Sequence, residues 1–403
     1  MIKKDIITSS LTNLVGLVLG FLQGVVIARH FGSEGKGEIA FYLSLFTLVF
    51  SISNLGIKQS ASYYINKNKV SYKNLKFLFL ATTLLSAIIL FGSFIIQNIN
   101  IDGYFLILLF TMPFALYVSI FSSIPLSKRD INKINSLRIL NSVSNFLLIT
   151  VFFLILGFTD FRLFFIIHLI SYIINSIYVK IYILNKYESN FFFNDKFNFK
   201  EALTILKKGF AYCFPLFIYG INYKIDLLIL PNYVSNKELG VYALGVGFAE
   251  MIWQIPSVLS LVIFSYSVSN KNSLKFSLKI WNNTKKIMLL LIPILILFWT
   301  LLYYFIPSVY GEQFDGSSYI SLLLIPGTYF IIAFNILNAD MAGKGFPLKG
   351  LYVFSLGAII NILLNLLLIP KHGIIGSALA SSTSYILSAI SFVLIYYKQM
   401  LKK

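Results

Sequence analysis

Twelve apolar runs of roughly 20 residues divide this 403-residue chain, and the segments between them alternate between strongly basic and nearly neutral. A run of that length is what a helix needs to cross about 30 Å of hydrocarbon, where a backbone polar group can only be satisfied inside its own segment. The reading is an all-α polytopic membrane protein with spans at 7–29, 39–57, 77–97, 104–126, 138–158, 162–185, 209–230, 240–267, 287–306, 318–338, 351–369 and 374–397. Composition excludes the alternative of a soluble globule. Hydrophobic residues make up 58% and charged residues 12%, and the mean hydropathy is +0.81.

Charge then sets an orientation. With the amino terminus taken as cytoplasmic, the inside segments and adjoining helix ends hold 27 of the 33 Lys and Arg, whereas the outside loops hold five: Arg29, Lys36, Arg162, Lys237 and Lys371. The basic clusters at Lys58, Lys67, Lys69, Lys73 and Lys76 and at Lys271, Lys275, Lys279, Lys285 and Lys286 both fall inside. The positive-inside bias places both termini in the cytoplasm. The net charge of +18 is therefore assigned to anionic lipid headgroups and the membrane potential, and nucleic acid is discounted as a partner. The first run lacks a small-residue cleavage site and is read as a helix, not a signal peptide.

The longest extramembrane stretch, 185–208, separates two sets of six spans. The domain reading is an N-lobe at 1–185, a cytoplasmic interlobe linker at 186–208 and a C-lobe at 209–403 around a central cavity. The halves resemble each other weakly. Ser33-Glu34-Gly35-Lys36-Gly37-Glu38-Ile39-Ala40 and Asn236-Lys237-Glu238-Leu239-Gly240-Val241-Tyr242-Ala243 lie at a constant offset of 203 residues. Each half begins and ends on the same side, so the repeat is parallel, about an axis along the membrane normal.

Enzymatic motifs are missing. No P-loop or HExxH occurs, His30, His168 and His372 are far apart, and Cys213 is a lone thiol inside an apolar run. A membrane polymerase or ligase would need a large outer loop carrying paired carboxylates or a nucleophile with its base. The outer loops are short, so no catalytic residue, metal site or cofactor is expected.

The segment Ala28-Arg29-His30-Phe31-Gly32-Ser33-Glu34-Gly35-Lys36-Gly37, followed by Asn54-Leu55-Gly56-Ile57, resembles the opening of Wzx-type polysaccharide flippases in the MOP (multidrug, oligosaccharidyl-lipid, polysaccharide) exporter superfamily. Pro215, Asp226, Gly240-Val241-Tyr242-Ala243, Asn365-Leu366-Leu367-Leu368-Ile369-Pro370 and Gly373-Ile374-Ile375-Gly376-Ser377-Ala378 continue the pattern across the second half. The resemblance implies flipping of an undecaprenyl-diphosphate-linked oligosaccharide from the inner to the outer leaflet of a bacterial plasma (inner) membrane. O-antigen, lipopolysaccharide or capsule synthesis would be served, with a polysaccharide polymerase and a chain-length regulator as implied partners. Proton or sodium coupling stays open, as does a cation-coupled multidrug exporter of the same superfamily. A polymerase or ligase, or a scaffold without a cavity, stands further off.

Candidate site residues follow from placing charge and polarity in hydrocarbon. A charge at the bilayer centre costs at least about 3 kcal/mol on insertion scales, so Lys224, Asp226 and Glu250 should face a cavity or a partner. Lys224 and Glu250 fall at depths of ~9 Å and ~15 Å on neighbouring spans at 1.5 Å rise per residue and are able to meet. They read as an ion pair, a phosphate site with its counter-charge, or a protonatable switch. Arg29, Lys58 and Lys224 form successive cationic stations for a diphosphate, or else Arg29 and Lys58 snorkel at the two interfaces. Asn13, Gly16, Gly20, Gln23 and Gly24 mark one face of the first span as polar, serving sugar passage or close GxxxG packing. Asn141 and Asn145, and Asn361 and Asn365, each share a helix face, as cavity donors or as interhelical hydrogen bonds. Pro113, Pro215, Pro256, Pro293 and Pro326 interrupt spans, and Pro215 with Gly220 is the candidate gating hinge.

Overall fold

The structure, a computed structural model, describes residues 2–65, 71–187, 197–252, 254–270 and 273–401. Lys67, Lys69 and Lys271 of the basic clusters lie outside the described residues. Among the described residues the chain is helical, without strands. Among the described residues, eight helices are long and apolar enough to cross a membrane, and a ninth is added by the bent helix around Pro215. The protein is a multi-pass membrane protein.

Two of these eight stretches are far longer than one crossing. Thr8–Ile65 covers 58 residues and Pro347–Met400 covers 54, about 80–90 Å each at 1.5 Å per residue. Both fold at a glycine: α1 (Ile2–Ser53) breaks at Gly32, with φ 68°, and α13 (Pro347–Tyr396) at Gly373, with φ 53°. A positive φ is open to glycine at little cost and to few other residues. Four expected spans, at 7–29, 39–57, 351–369 and 374–397, thus become the arms of two glycine-kinked helices with almost no loop between them. After Leu55 and Gly56, both at positive φ, α2 (Ile57–Ile65) continues from α1.

The expected span at 240–267 is instead two helices, α9 (Asn236–Met251) and α10 (Gln254–Ser269). α9 starts earlier than hydropathy suggests because Ser235 and Glu238 form a capping box, each side chain bonding the other's backbone N–H. Pro256 lies in the first turn of α10, where a missing N–H costs little, so it starts a helix and does not interrupt one. The other helices are α3 (Tyr72–Ile96), α4 (Gly103–Phe121), α5 (Ser123–Ser127), α6 (Ile131–Ile149), α7 (Arg162–Tyr187), α8 (Phe199–Ile229), α11 (Leu274–Tyr310) and α12 (Gly316–Gly343).

The chain divides into two compact units. Unit 1 comprises residues 1–30 and 42–220, and unit 2 comprises Phe31–Phe41 and Ile221–Lys403. In unit 1, Ala202 and Ile205 of α8 join Ile57, Leu75, Phe121 and Val179 in one buried apolar cluster. The start of α8 is pinned there by the buried Asn74 of α3, which donates to Glu201 at 2.8 Å and accepts from the Asn198 backbone N–H at 3.0 Å. Residues 199–208 therefore belong to a packed helix, while 188–196 lie outside the described residues.

Candidate substrate cavity and buried polar clusters

Unit 1 contains a cavity of about 270 Å³ between the end of α1 and α2, α4, α6 and α7. Two cations, Lys58 of α2 and Arg138 of α6, line it together with Asn141, Asn175, Ser119, Ser122 and the aromatic rings of Phe50 and Tyr172. No acidic residue is among these lining groups. Arg138 is held by Asn13 of α1, whose Oδ1 accepts from Nη1 at 3.2 Å. Asn13, on the polar face of the first span, thus orients a cation beside the cavity. Asn175 is 1% exposed, and its Nδ2 donates to the Ser171 carbonyl at 2.9 Å. Its Oδ1 is buried without a hydrogen-bond partner.

Arg138 and Asn175 are absent from the sequence-based site, although a signal for them exists. Arg138, Asn141 and Asn145 recur at three- and four-residue spacing on α6, as do His168, Ser171 and Asn175 on α7, so each set forms one helix face. The two faces meet. Ser144 donates to Ser171 at 3.1 Å, His168 lies 3.3 Å from the Asn145 Oδ1, and Asn145 donates to the Asn141 carbonyl at 3.0 Å. Asn145 is therefore an interhelical bonder just beyond the cavity, whereas Asn141 lines it.

Arg29, exposed on α1, is not among the cavity's lining residues, nor is the half-buried Gln23. Gly16 and Gly20 do not make a tight helix contact. A Cβ at Gly16 would meet Ser142 at an ordinary 3.5 Å, and one at Gly20 would meet nothing within 4 Å.

In unit 2 the charged groups of the expected site are paired. Lys224 of α8 donates to Glu250 of α9 at 3.3 Å, and both side chains keep 29% of their exposure. Asp226, one half-turn further along α8, is 4% exposed. It accepts from the backbone N–H of Leu227 at 2.8 Å and from the Tyr242 hydroxyl of α9. Ser377 of α13 lies 3.1 Å from that same hydroxyl and donates to Asn365 at 2.9 Å. Asn365 donates to Asn361 at 2.9 Å, and Asn361 donates to Ser381 at 3.1 Å and Ser384 at 3.2 Å. Asn361 and Asn365, both 0% exposed, are links in this chain of bonds. The adjoining cavity, beside Asp226, Glu250 and Tyr385, measures about 10 Å³, the room of one water molecule.

A second buried carboxylate closes the other end of unit 2. Asp340, in the last turns of α12, accepts from Ser267 of α10 at 2.6 Å, Ser277 of α11 at 2.8 Å and Tyr396 of α13 at 2.6 Å. Lys344 approaches its Oδ2 at 3.8 Å. Hydropathy places Asp340 just past the span at 318–338, so it reads as a loop charge.

The offset of 203 residues has a physical counterpart within unit 2. A Cβ at Gly37 would run into the Asn236 carbonyl oxygen, and one at Gly240 into the Ser33 carbonyl oxygen. Ser33 and Asn236, and Gly37 and Gly240, are equivalent positions, so the contact is reciprocal, as at a two-fold axis.

α8 bends by 47° between Phe199–Pro215 and Phe217–Asn232. The break coincides with Pro215, which withholds a backbone N–H and crowds the preceding turn. A Cβ at Gly220 would have Leu48 at 3.5 Å as its nearest neighbour, an ordinary contact.

The sequence profile of the polysaccharide biosynthesis protein family matches residues 2–269, more than half of the 403 residues. The chain belongs to the polysaccharide biosynthesis protein family. Among solved structures, lipid II flippase MurJ in its inward closed conformation is similar with a TM-score of 0.78 and 16% identity, over 96% of this chain and 87% of that one. An inward-facing multidrug resistance MATE family transporter of the MOP superfamily is similar with a TM-score of 0.73 and 14% identity, over 98% and 95%. At such identities what is shared is the fold. No match emerges among curated protein sequences.

Proposed function

We propose that this protein flips a lipid-linked oligosaccharide, carried on a polyprenyl diphosphate such as undecaprenyl diphosphate, from the cytoplasmic to the outer leaflet of a bacterial inner membrane by alternating access. It forms no covalent bond with its cargo and is a transporter, not an enzyme. The observation that carries this reading is the unit 1 cavity, where two cations and several amide and hydroxyl groups converge without a carboxylate. A diphosphate leaving water needs cations and donors in place of its hydration shell, and Lys58 and Arg138 supply both. The polyprenyl tail stays in lipid throughout.

The cavity argues against a multidrug exporter. A cationic drug calls for buried carboxylates, and Asp226 and Glu250 already have Tyr242 and Lys224 as partners. The positive-inside pattern supports cytoplasmic termini. An O-antigen or capsule repeat unit is the cargo class that family membership suggests, with a polymerase taking the product on the outer side.

The test follows lipid-linked oligosaccharide between leaflets in cells depleted of the protein and restored with wild type or with Lys58→Gln/Arg138→Gln. Accumulation on the cytoplasmic face, relieved by wild type and not by the double variant at equal membrane abundance, is the expected result. Normal outward delivery in depleted cells, with changed drug sensitivity, would sink the flippase reading in favour of drug export.

A further inference from the structure

A second concavity of unit 1 lies apart from the basic cavity. It measures about 390 Å³ and is lined by Tyr72 and Phe79 of α3, Pro113, Phe114 and Tyr117 of α4, and Ser176, Ile177 and Lys180 of α7. That volume is within the range of about 300–1,000 Å³ typical of small-molecule sites. Its wall is preassembled. The rings of Tyr72 and Tyr117 pack on Phe121 at 5.5 Å and 4.3 Å, and Phe79 meets Tyr117 edge-on at 5.6 Å. Ser176 donates to the Phe114 carbonyl at 3.2 Å and fixes α7 against α4. Ile177 is 52% exposed on the groove's open side.

Lys180 is the feature that needs an explanation. It lies within a membrane-spanning helix, Arg162–Lys186, and is the only charge among the groove's described lining residues. Its side chain is exposed, and none of the ion pairs among the described residues includes it. An uncompensated cation below the interface attracts an anion from the membrane itself, and the anionic headgroups of a leaflet are the nearest supply. Depth agrees with one leaflet. Tyr72 and Lys180 share the end where α3 begins, and Phe79 is seven residues further along, ~10 Å deeper, against a half-thickness of ~15 Å for the hydrocarbon.

We propose that this groove holds one acyl chain of an anionic glycerophospholipid along the Tyr72, Phe79 and Tyr117 wall, with the lipid phosphate on the Lys180 ammonium. The Tyr72 and Tyr117 hydroxyls lie at the polar end, the level that amphipathic aromatic side chains occupy at membrane interfaces. The site does not depend on the transport reading.

The experiment uses the full chain, purified in neutral detergent and stripped of lipid, titrated with dioleoyl phosphatidylglycerol or dioleoyl phosphatidylcholine and read by native mass spectrometry. The first phosphatidylglycerol should bind about fivefold more tightly than phosphatidylcholine, the effect of one lysine at an anionic surface. Lys180→Gln should erase that preference and Lys180→Arg retain it, while Ile177→Trp, which fills the groove, should weaken both lipids. Equal affinity for the two lipids overturns the proposal, as does an unchanged preference in Lys180→Gln. Displacement of phosphatidylglycerol by undecaprenyl phosphate, lost in Ile177→Trp, also overturns it and makes the groove a seat for the isoprenoid tail. Should Lys180→Gln not stay monodisperse, Lys180→Arg and Ile177→Trp still decide the question.

Discussion

Replacing Asp340 by Ala should destabilise unit 2 more than any loop substitution, because one carboxylate joins four helices. Three hydroxyls, from Ser267, Ser277 and Tyr396, donate to it at 2.6–2.8 Å, and Lys344, with 5% of its side chain exposed, stands beside it. Hydrogen bonds to a charged acceptor are worth about 1.5–3 kcal/mol each. The three do not simply add, since a serine hydroxyl can turn to a carbonyl of its own helix. The expected loss is about 3–5 kcal/mol, the range for removing one partner of a buried charge pair. Asp340→Asn keeps one acceptor and should lose less, about 1–3 kcal/mol. Lys344→Met should hurt the wild type yet partly rescue Asp340→Ala, because the buried ammonium, left without a counter-charge and held only by the Ser273 carbonyl and the Ser277 hydroxyl, is then gone.

The native sequence supplies separate probes for this experiment. Its three tryptophans fall at 253, 281 and 299, within the range of unit 2, and its one cysteine, Cys213, falls in unit 1. Trp281 stacks on Tyr396 at a centroid distance of 6.2 Å, so tryptophan fluorescence reports the perturbed region. A melt in detergent should show that transition lowered by on the order of 10 °C in Asp340→Ala, with labelling of the buried Cys213 moving less. A shift under 2 °C, or equal shifts for Ala and Asn, would refute the claim that the carboxylate holds the four helices.

Gly240→Ala forces a methyl onto the Ser33 carbonyl oxygen and should cost about 1–3 kcal/mol; Gly37→Ala should cost the same, and the double variant less than the sum, because the first methyl already parts the helices. Gly20→Ala, with open space around it, should leave melting unchanged or raised. Asp130 caps α6 outside the membrane spans, and burial alone would raise its pKa; hydrogen bonds from Lys186 at 2.7 Å and Tyr182 at 2.6 Å, with one from the Lys133 backbone N–H, outweigh that and hold the carboxyl below its usual value. Its contribution is therefore present above about pH 4 and lost as pH falls through the lowered value, an acid sensitivity that circular dichroism melts should find reduced in Asp130→Asn. At neutral pH that variant should differ by only about 0.2–1 kcal/mol, since Lys186 is half-exposed. Pro215→Ala restores a backbone N–H at the 47° bend and should slow export at unchanged membrane abundance; equal loss of protein would mark the proline as a folding requirement.

What sequence shows of this molecule is what hydropathy and local spacing encode. A membrane helix must be apolar along most of its length, so spanning segments stand out however they pack, and the meeting of Lys224 with Glu250 follows from counting residues. The pair lies 3.3 Å apart. Joints between spans are another matter. Gly32 and Gly373 each replace an expected loop with a kink, and a single positive φ leaves no trace in a hydropathy average. Capping residues override hydropathy at Ser235, where polar residues begin a helix instead of delaying it. Partners across helices are likewise hidden: Tyr242 reads as an aromatic core residue, yet its hydroxyl is what Asp226 meets.

The two buried carboxylates illustrate how unequal the units are. In unit 2 Asp226 and Asp340 accept from hydroxyls of neighbouring helices, and Asp226 also from the Leu227 N–H of its own helix, and the space beside Asp226 admits one water. The unit 1 cavity is lined differently. Its cavity holds two cations without an acid and one buried amide oxygen without a partner. Polar groups that are satisfied by their neighbours stiffen a structure. On the proposed reading, the unit 1 cavity is where the anionic end of the cargo would bind. Substitutions in the Asp340 network should then register first as lost stability, and substitutions at Lys58, Arg138 or Asn175 first as lost export from a protein that still folds.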